Sequence, residues 1–340
     1  MTGQRVLLIY TGGTIGMVQD PTSQTLVPVD FDHLSRQVPE LRNFDLHLEA
    51  QAFHPPLDSS DMLPATWQDI AARIFEAYDR FDGFVVLHGS DTMAYTASAL
   101  SFMLQGIGKP VVLTGSQLPI GVIRTDGKEN LITAIEIASA YHNGVAVVPE
   151  VSVYFEYRLF RGNRVVKYHS EHFDAFKSPN YPPLAEAGIH LDFKNEYIMK
   201  PLGNLRYKPK MESGVGVVTL FPGMSLDWLQ RCLGDPSLRA LILQTYGAGN
   251  APRDPAFLGI LEKAIERGLT VVNVSQCLAG TVEQGRYETS RRLQEMGVIS
   301  GGDITLEAAI TKLMHLLGNS SQGQSLSEAF LNPIVGERSH

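Results

Sequence analysis

The stretch RVLLIYTGGTIG, residues 5–16, decides how the first half of the chain can fold. Its apolar run, Val6–Tyr10, is short and rich in branched side chains, as are strands that are covered on both faces. The run ends at the loop Thr11–Thr14, which contains only glycine and threonine. Because ligands in open α/β sheets bind beyond the carboxyl ends of the strands, this loop is the first candidate for a site.

Strand-like and helix-like segments alternate after this loop. The runs Phe84–Leu87, Val111–Leu113 and Val145–Val148 predict buried strands. Apolar residues recur at helical spacing in the segments between them, TWQDIAARIFEAYDRF, DTMAYTASALSFMLQ and GKENLITAIEIASAYH. The last of these helices is predicted to end near Asn143-Gly144, a suitable stop signal. This alternation indicates a mostly parallel sheet flanked by helices.

The pattern breaks between about residues 178 and 211, which are rich in proline, glycine and charge and predict an irregular excursion that leads into a linker. The alternation then returns in GVGVVTL, LDWLQRCL, ALILQTY, AFLGILEKAIERG, TVVNVSQ and EAAITKLMHLLG. We therefore predict an α/β protein with a larger amino-terminal domain at 1–195, a linker at 196–212 and a smaller α/β domain at 213–340.

Composition limits the classes of function. A formal net charge of −8 and a pI of about 5.7 argue against a nucleic-acid partner, because a polyanion requires a positive field. Only two cysteines, Cys232 and Cys277, occur, which favours a reducing compartment over a disulfide framework. No apolar run approaches the roughly 18 residues of a membrane span, and no signal peptide is recognisable. We expect a soluble, cytoplasmic protein with no membrane association.

Several well-known site motifs are absent. The glycines of the first loop fall at 12, 13 and 16, which is not the spacing of a dinucleotide fingerprint. Neither a phosphate-binding Gly-x4-Gly-Lys loop nor a G-x-S-x-G nucleophile elbow occurs. The ten histidines form no H-E-x-x-H pattern, so a metal site has little support.

The remaining candidates are hydroxyls, one acid and one lysine near strand ends. Thr14 is a weak nucleophile that needs a partner to take its proton. Ser90 and Asp91 follow another predicted strand, and Lys167 can act as a base if its surroundings favour the neutral amine. Ordinary structural roles also fit. The hydroxyls can satisfy turns, Asp91 can cap the helix that begins near Thr92, and Lys167 can be a solvated surface charge.

Seven segments form a set of motifs that runs along nearly the whole chain. The most specific are YTGGTIGM at 10–17 and HGSDTMAYTASALSFML at 88–104. The other five are PPLDSSDM, GKPVVLTGSQLP, FRGNRVVKYHSEHFDAFKSPN, YGAGNAP and GVISGGDITLEAAITKL. Together, and in this order, the seven segments resemble the bacterial-type L-asparaginases, and in particular their cytoplasmic, type I branch.

The resemblance implies hydrolysis of L-asparagine to L-aspartate and ammonia without a cofactor or a metal. It makes Thr14 the nucleophile that forms a β-aspartyl ester, with Ser90 and Lys167 handling protons. It also implies that Asp91 binds the α-ammonium group of the substrate.

The other substrate contacts are implied by the same resemblance. The segment Asp58, Ser59 and Ser60 corresponds to the one that binds the α-carboxylate, and backbone N–H groups near Ser90 and Gly115 would meet the oxyanion. Family members form homodimers that often pair into homotetramers, with each site completed by a neighbouring subunit.

Three positions depart from the family. Ser90 replaces the usual threonine and lacks the methyl group that restricts the rotamer. Leu26 stands where many members carry a catalytic tyrosine, and we expect Tyr287 to supply the missing phenol. Gln244 stands where some members use an arginine to bind asparagine at an activating site, so we expect weak or absent allosteric activation.

Three other functions remain open from the sequence. The same residues serve a glutaminase or a mixed amidase if the pocket accepts one more methylene. The amidase subunit of a tRNA amidotransferase shares this core, but an extra amino-terminal domain and a basic face are expected of it. A non-catalytic metabolite-binding module would keep the glycine loops but could dispense with Thr14 or Lys167, and both are present.

Overall fold

The computed structural model describes residues 3–19, 26–28, 36–201, 203–285, 288–319 and 325–339. The chain divides into two compact units, residues 1–209 and residues 210–340. Both units contain parallel strands and flanking helices, so the predicted α/β class is confirmed.

The first unit contains an eight-stranded sheet. Its strands are β1 (Arg5–Gly12), β2 (His47–Leu57), β3 (Gly83–Leu87), β4 (Val111–Thr114), β5 (Val151–Phe155), β6 (Arg158–Arg161), β7 (Ala185–Ala187) and β8 (Leu191–Phe193). Their order across the sheet is β8-β7-β6-β5-β4-β3-β1-β2. Neighbouring strands in the part β5-β4-β3-β1-β2 pair in parallel. Strands β6, β7 and β8 add antiparallel pairs at the other end of the sheet.

Three α-helices among the described residues of the first unit flank this sheet. They are α1 (Pro64–Ala77), α2 (Met93–Met103) and α3 (Gly127–Ala138). The apolar stripe predicted for α1 is buried, with Ile70 and Ile74 fully inaccessible. Helix α2 is buried on nearly every side, which explains why its sequence is apolar all round.

Short elements complete the first unit. Short 3₁₀-helices lie at Thr14–Gly16, Pro39–Asn43 and Ser59–Asp61. Two-stranded pairs join Met17–Gln19 with Leu26–Pro28, Leu104–Gln105 with Arg206–Tyr207, Tyr141–His142 with Val145–Ala146, and Val166–Lys167 with Phe176–Lys177.

The second unit contains a four-stranded parallel sheet. Its strands are β9 (Val215–Thr219), β10 (Ala240–Thr245), β11 (Thr270–Ser275) and β12 (Ile299–Ser300), paired in that order. Its helices are α4 (Leu226–Leu233), α5 (Pro255–Glu266), α6 (Glu288–Glu295), α7 (Leu306–Asn319) and α8 (Leu326–Leu331). The three strands and three helices predicted for this region are confirmed.

Three predictions for the first unit were wrong. Only Val145–Ala146 of the predicted buried strand at 145–148 is a strand, and it belongs to a two-stranded hairpin, whereas β5 of the large sheet begins at Val151. Helix α3 ends at Ala138, and Asn143-Gly144, both with positive φ, form the tight turn of a hairpin, a common role for Asn-Gly. The region after residue 178 is not irregular throughout, since β7 and β8 extend the sheet there.

Within the described residues, no helix is both long and apolar enough to cross a bilayer.

Candidate active site

The candidate site lies where β1, β3 and β4 end. These strands are neighbours and run in parallel, with Tyr10 opposite Leu87 and Leu87 opposite Thr114. Their carboxyl ends therefore meet at one edge of the sheet, and the loops that follow them converge. The first loop, at 11–14, and the loop that carries Ser90 and Asp91 were both predicted to follow strands, and both lie at this edge.

Close backbone packing joins the first loop to the second. Gly13 has φ +87° and ψ 172°, and a Cβ atom at this position would overlap the backbone of Gly89. Gly89 in turn packs on Ser59, whose Oγ atom would lie 2.5 Å from a Cβ atom at position 89. Thr14 begins the 3₁₀ turn directly after Gly13 and is half-buried. The glycines thus bring the Thr14 loop against the Ser90 loop.

The side chains of Ser90, Asp91 and Lys167 form one hydrogen-bonded cluster. Lys167 Nζ donates to Ser90 Oγ at 2.9 Å and also to the carboxylate of Asp91. Only 16% of the Lys167 side chain is exposed, against 66% for Asp91. Lys167 is therefore not a solvated surface charge, and Asp91 makes this ion pair while the cap of α2 shows no side-chain hydrogen bond.

The segment Asp58–Ser60 lies beside this cluster. Thr92 Oγ1 donates to the backbone carbonyl of Ser59 at 2.6 Å, which ties the segment to the Ser90 loop. Both the N–H and the hydroxyl of Ser60 donate to Asp58 Oδ1, at 2.8 and 2.9 Å. These two donors are thus engaged by a carboxylate of the protein itself.

Gly115 belongs to the same edge of the sheet. A Cβ atom at position 115 would overlap the carbonyl oxygen of His88, so the third loop also packs closely on the second. Asn130 Nδ2 donates to the Gly115 carbonyl at 3.0 Å and fixes this peptide group.

His88 is a buried group at the start of the loop that carries Ser90. Its Nδ1 lies 2.7 Å from the Gly89 carbonyl and its Nε2 lies 2.9 Å from Thr96 Oγ1, which accepts a hydrogen bond from Trp67 Nε1 at 3.0 Å. The carbonyl requires a proton on Nδ1, and the hydroxyl can then donate to Nε2. Burial lowers the pKa of His88 from 6.5 to about 4.

Gln117 is a site residue that the sequence analysis did not single out as a candidate. Ser90 Oγ donates to its side-chain oxygen at 3.2 Å. Its side-chain nitrogen donates to the carbonyl oxygens of Ser170 and His172. Its place after β4 was the only signal in the sequence.

Two other positions named in the sequence analysis belong to the second half of the chain. Tyr287 lies outside the described residues. Gln244 lies near the end of β10 in the second unit, where its side-chain oxygen accepts a hydrogen bond from Thr219 Oγ1 at 2.7 Å. Among the described residues, no group of three or more histidine, cysteine, aspartate or glutamate side chains has the arrangement of a metal site.

The fold and this cluster define an α/β protein with a polar site of hydroxyl, ammonium and carboxylate groups at the strand ends. Residues 5–199 match the asparaginase amino-terminal domain, and residues 214–330 match the glutaminase/asparaginase carboxy-terminal domain. The chain therefore belongs to the asparaginase family.

Individual relatives are similar to this chain over nearly its full length. The chain is 45% identical to L-asparaginase 1 of Escherichia coli K12, over 99% of this chain and 98% of that protein. The crystal structure of L-asparaginase I from Vibrio cholerae superimposes with a TM-score of 0.89 at 42% identity, covering 99% of this chain and all of that one. A probable cytoplasmic L-asparaginase from Campylobacter jejuni matches with a TM-score of 0.81 at 26% identity, covering 97% and 100%.

Proposed function

We propose that this protein hydrolyses L-asparagine to L-aspartate and ammonia through an ester on Thr14. The observation that carries the proposal is the hydrogen bonding of Lys167 Nζ to both Ser90 Oγ and Asp91, on a loop whose Gly89 packs against the Gly13 that precedes Thr14. The full-length similarity to proteins named L-asparaginase supports the choice of substrate.

The reaction consists of two acyl transfers. The Thr14 hydroxyl oxygen adds to the side-chain amide carbon of the substrate, and the C–N bond then breaks as the nitrogen takes the proton and leaves as ammonia. Water next adds to the resulting ester. The C–O bond to Thr14 breaks, aspartate is released, and the threonine regains its proton.

The cluster beside Thr14 orients the groups that react. Lysine ammonium has three donors and no acceptor, so Lys167 holds Ser90 and Asp91 in a fixed relation. Ser90 Oγ retains acceptor capacity for a hydrogen bond from the attacking water. Asp91, with its carboxylate two-thirds exposed, can also accept the substrate α-ammonium in a charge-assisted bond.

Two further contacts position the substrate. Ser60 donates twice to Asp58, so binding of the substrate α-carboxylate there exchanges one carboxylate acceptor for another. Backbone N–H groups near Ser90 and Gly115 then meet the oxyanion at the strand ends, where a preorganised donor is most effective. Tyr287 is proposed as the source of a phenol for proton transfer, and Tyr287→Phe should lower kcat.

We also propose a cytoplasmic homo-oligomer, either a dimer or a tetramer. Cys232 and Cys277 are both free thiols, which fits a reducing compartment, and one structural relative is described as probable cytoplasmic. Sedimentation of the purified protein measures the oligomeric state. The proposed domains, 1–195 and 213–340 with a linker at 196–212, are supported by the family matches at 5–199 and 214–330.

Ammonia release from L-asparagine and L-glutamine tests the proposal directly. We expect the wild-type protein to favour asparagine, and Thr14→Ala to lose about 10³-fold or more in kcat because it lacks the nucleophile. Thr133→Ala is a matched control, since Thr133 lies in α3 and bonds to Glu129. A slow substrate should add an acyl mass to the peptide that contains Thr14.

Three results would contradict this function. Full turnover in Thr14→Ala excludes the threonine ester, and faster release from glutamine makes the protein a glutaminase. Binding of asparagine without any ammonia release indicates a metabolite-binding module.

A further inference from the structure

Gln117 links the candidate site to a loop that lies far away in sequence. Its side-chain nitrogen donates to the backbone carbonyls of Ser170 at 3.1 Å and His172 at 2.9 Å. Its side-chain oxygen accepts from Ser90 Oγ at 3.2 Å. Gln117 is therefore bonded on one side to the 168–174 loop and on the other to the Ser90–Lys167 cluster.

The two carbonyls determine which way the Gln117 amide faces. A carbonyl oxygen can only accept, so the NH₂ group must face Ser170 and His172, and the amide oxygen must face Ser90. Ser90 then has to donate its proton to Gln117. Lys167 can only donate, so it binds a lone pair of the same hydroxyl at 2.9 Å. Both the proton and a lone pair of Ser90 Oγ thus have defined directions.

The backbone of Gln117 is also held firmly. Its N–H donates to the Asp126 carboxylate at 2.9 and 3.1 Å, and the next N–H, of Leu118, donates at 3.1 Å. Asn130 Nδ2 donates to the same carboxylate at 3.2 Å. Asp126 itself is only 6% exposed. The glutamine side chain therefore extends from a rigid point.

A serine at position 90 needs such a restraint more than a threonine does. The β-branched threonine side chain is stiff at χ1, whereas serine can populate all three staggered positions. We propose that Gln117 is a positioning residue that sets the rotamer and hydroxyl direction of Ser90, in place of the missing methyl group. The kinetic consequence of this inference rests on the proposed function, because it is measured as asparagine turnover.

A double-mutant cycle between positions 90 and 117 tests the inference. In the native serine background we expect Gln117→Met to lower kcat about tenfold with little change in KM, because the bond to Gln117 no longer restrains the Ser90 rotamer. In the Ser90→Thr background we expect a loss of no more than about threefold, because threonine retains its own rotamer preference. Equal losses in the two backgrounds would show that Gln117 only anchors the 168–174 loop and would overturn the proposal.

Two further variants guard against effects on folding. Gln105→Met is the matched control, because Gln105 is buried and donates to the Phe102 carbonyl at 3.1 Å elsewhere in the same unit, so kcat should not change. If Gln117→Met is unfolded at the assay temperature, Gln117→Glu enters the same cycle. Glutamate keeps an acceptor for Ser90. Gln117→Glu should therefore change kcat by the same factor in the Ser90 background and in the Ser90→Thr background. If the two factors differ by more than about threefold, the inference is contradicted.

The rotamer at position 90 gives a readout that does not depend on turnover. In a crystal structure of Gln117→Met we expect the Ser90 side chain to occupy more than one rotamer, and in the double variant with Ser90→Thr we expect a single one. If Ser90 keeps a single, unchanged rotamer in Gln117→Met, the inference is wrong, whatever the asparagine turnover of the variant. If the wild-type protein does not turn over asparagine, the proposed function is wrong, but the crystal structures still test whether Gln117 sets the Ser90 rotamer.

Discussion

Gly13 illustrates how much of the site depends on one residue without a side chain. Its φ of +87° and ψ of 172° lie in a region that is essentially restricted to glycine. A Cβ atom would in addition overlap the backbone of Gly89. Conformation and space therefore both require glycine here, and a glycine with a positive φ but no atom near its Cβ position provides the comparison for the second effect.

The variant Gly13→Ala should damage both stability and turnover. We expect the free energy of unfolding to fall by about 1–3 kcal/mol from backbone strain alone, and further from the overlap with Gly89. kcat should fall as well, because Thr14 and Ser90 are forced apart. Gly144→Ala is the control, since Gly144 has φ +77° with no other atom within 4 Å of a Cβ there. Urea unfolding and ammonia release measure the two effects, and an equal stability loss in both variants would contradict the overlap.

Gln244 leads to a prediction about regulation at the scale of one side chain. Its neutral amide accepts from Thr219 and cannot form the bidentate ion pair with a carboxylate that arginine forms. We expect the rate to depend hyperbolically on asparagine concentration, with a Hill coefficient of about 1. A clearly sigmoidal curve would show that an activating site exists despite this glutamine.

At the scale of elements, the network of Trp67, Thr96 and His88 connects α1 and α2 to the end of β3. Each side-chain polar atom of this hydrogen-bond network has a partner, so the free-energy cost of burying these atoms is low. The last bond, from His88 to the Gly89 carbonyl, reaches the loop that carries Ser90. Packing of the two helices is thereby coupled to the shape of the site.

Burial of His88 predicts a specific loss of stability in acid. The unfolded chain binds a proton near pH 6.5, whereas the folded protein resists protonation until about pH 4. Stability is therefore fully present above the unfolded value and declines as the pH falls from 6.5 to 4, by about 3 kcal/mol from this group. Urea unfolding at pH 7 and at pH 4 measures this loss. Between the two pH values, the free energy of unfolding of His88→Asn should fall by that much less than the free energy of unfolding of the wild-type protein. His142→Asn, at an exposed position, should behave as wild type.

The elements that could be predicted from sequence are those with a strong local pattern. Helix α1 and strand β1 carry uninterrupted stripes or runs of apolar residues, so local burial alone identifies them. Strand β2 was missed because it lies at the edge of the sheet and is mostly half-exposed. Strands β7 and β8 are only three residues long, too short to show a local periodicity, and they join the sheet because β7 pairs with distant β6 and β8 pairs with β7.

The sequence predicted the site residues that follow strands, but it did not predict Gln117. Thr14, Ser90 and Asp91 follow strands whose parallel order brings their ends together, so a topological rule found their loops. Gln117 acts through carbonyls more than fifty positions away, at Ser170 and His172. Backbone carbonyls are the same in every residue type, so no feature of the sequence identifies such partners.

At the scale of the whole molecule, the chain consists of two units that each contain a complete set of core layers. In the second unit, both faces of the four-stranded sheet are covered. One core includes Leu243 and Leu261, and the other includes Ile242 and Leu313. An ion pair between Lys312 and Glu337, both 0% exposed, closes this unit near its end.

The segment 210–340 is therefore expected to fold when it is produced alone. Among the described residues, its four strands pair only with one another, and Lys312 Nζ also donates to the carbonyls of Phe330 and Asn332, which fixes α8 against α7. Circular dichroism should show helix and strand with a cooperative thermal transition.

The same fragment with Lys312→Met is the control, because the substitution leaves the Glu337 carboxylate buried without its cation. Removing one partner of a buried pair costs about 3–5 kcal/mol, a large part of the stability of a domain of this size. The variant transition should move to much lower temperature or disappear. A disordered spectrum for the unsubstituted fragment would show that the core of the second unit is not sufficient for folding, and an unchanged transition in Lys312→Met would show that the buried pair does not contribute to it.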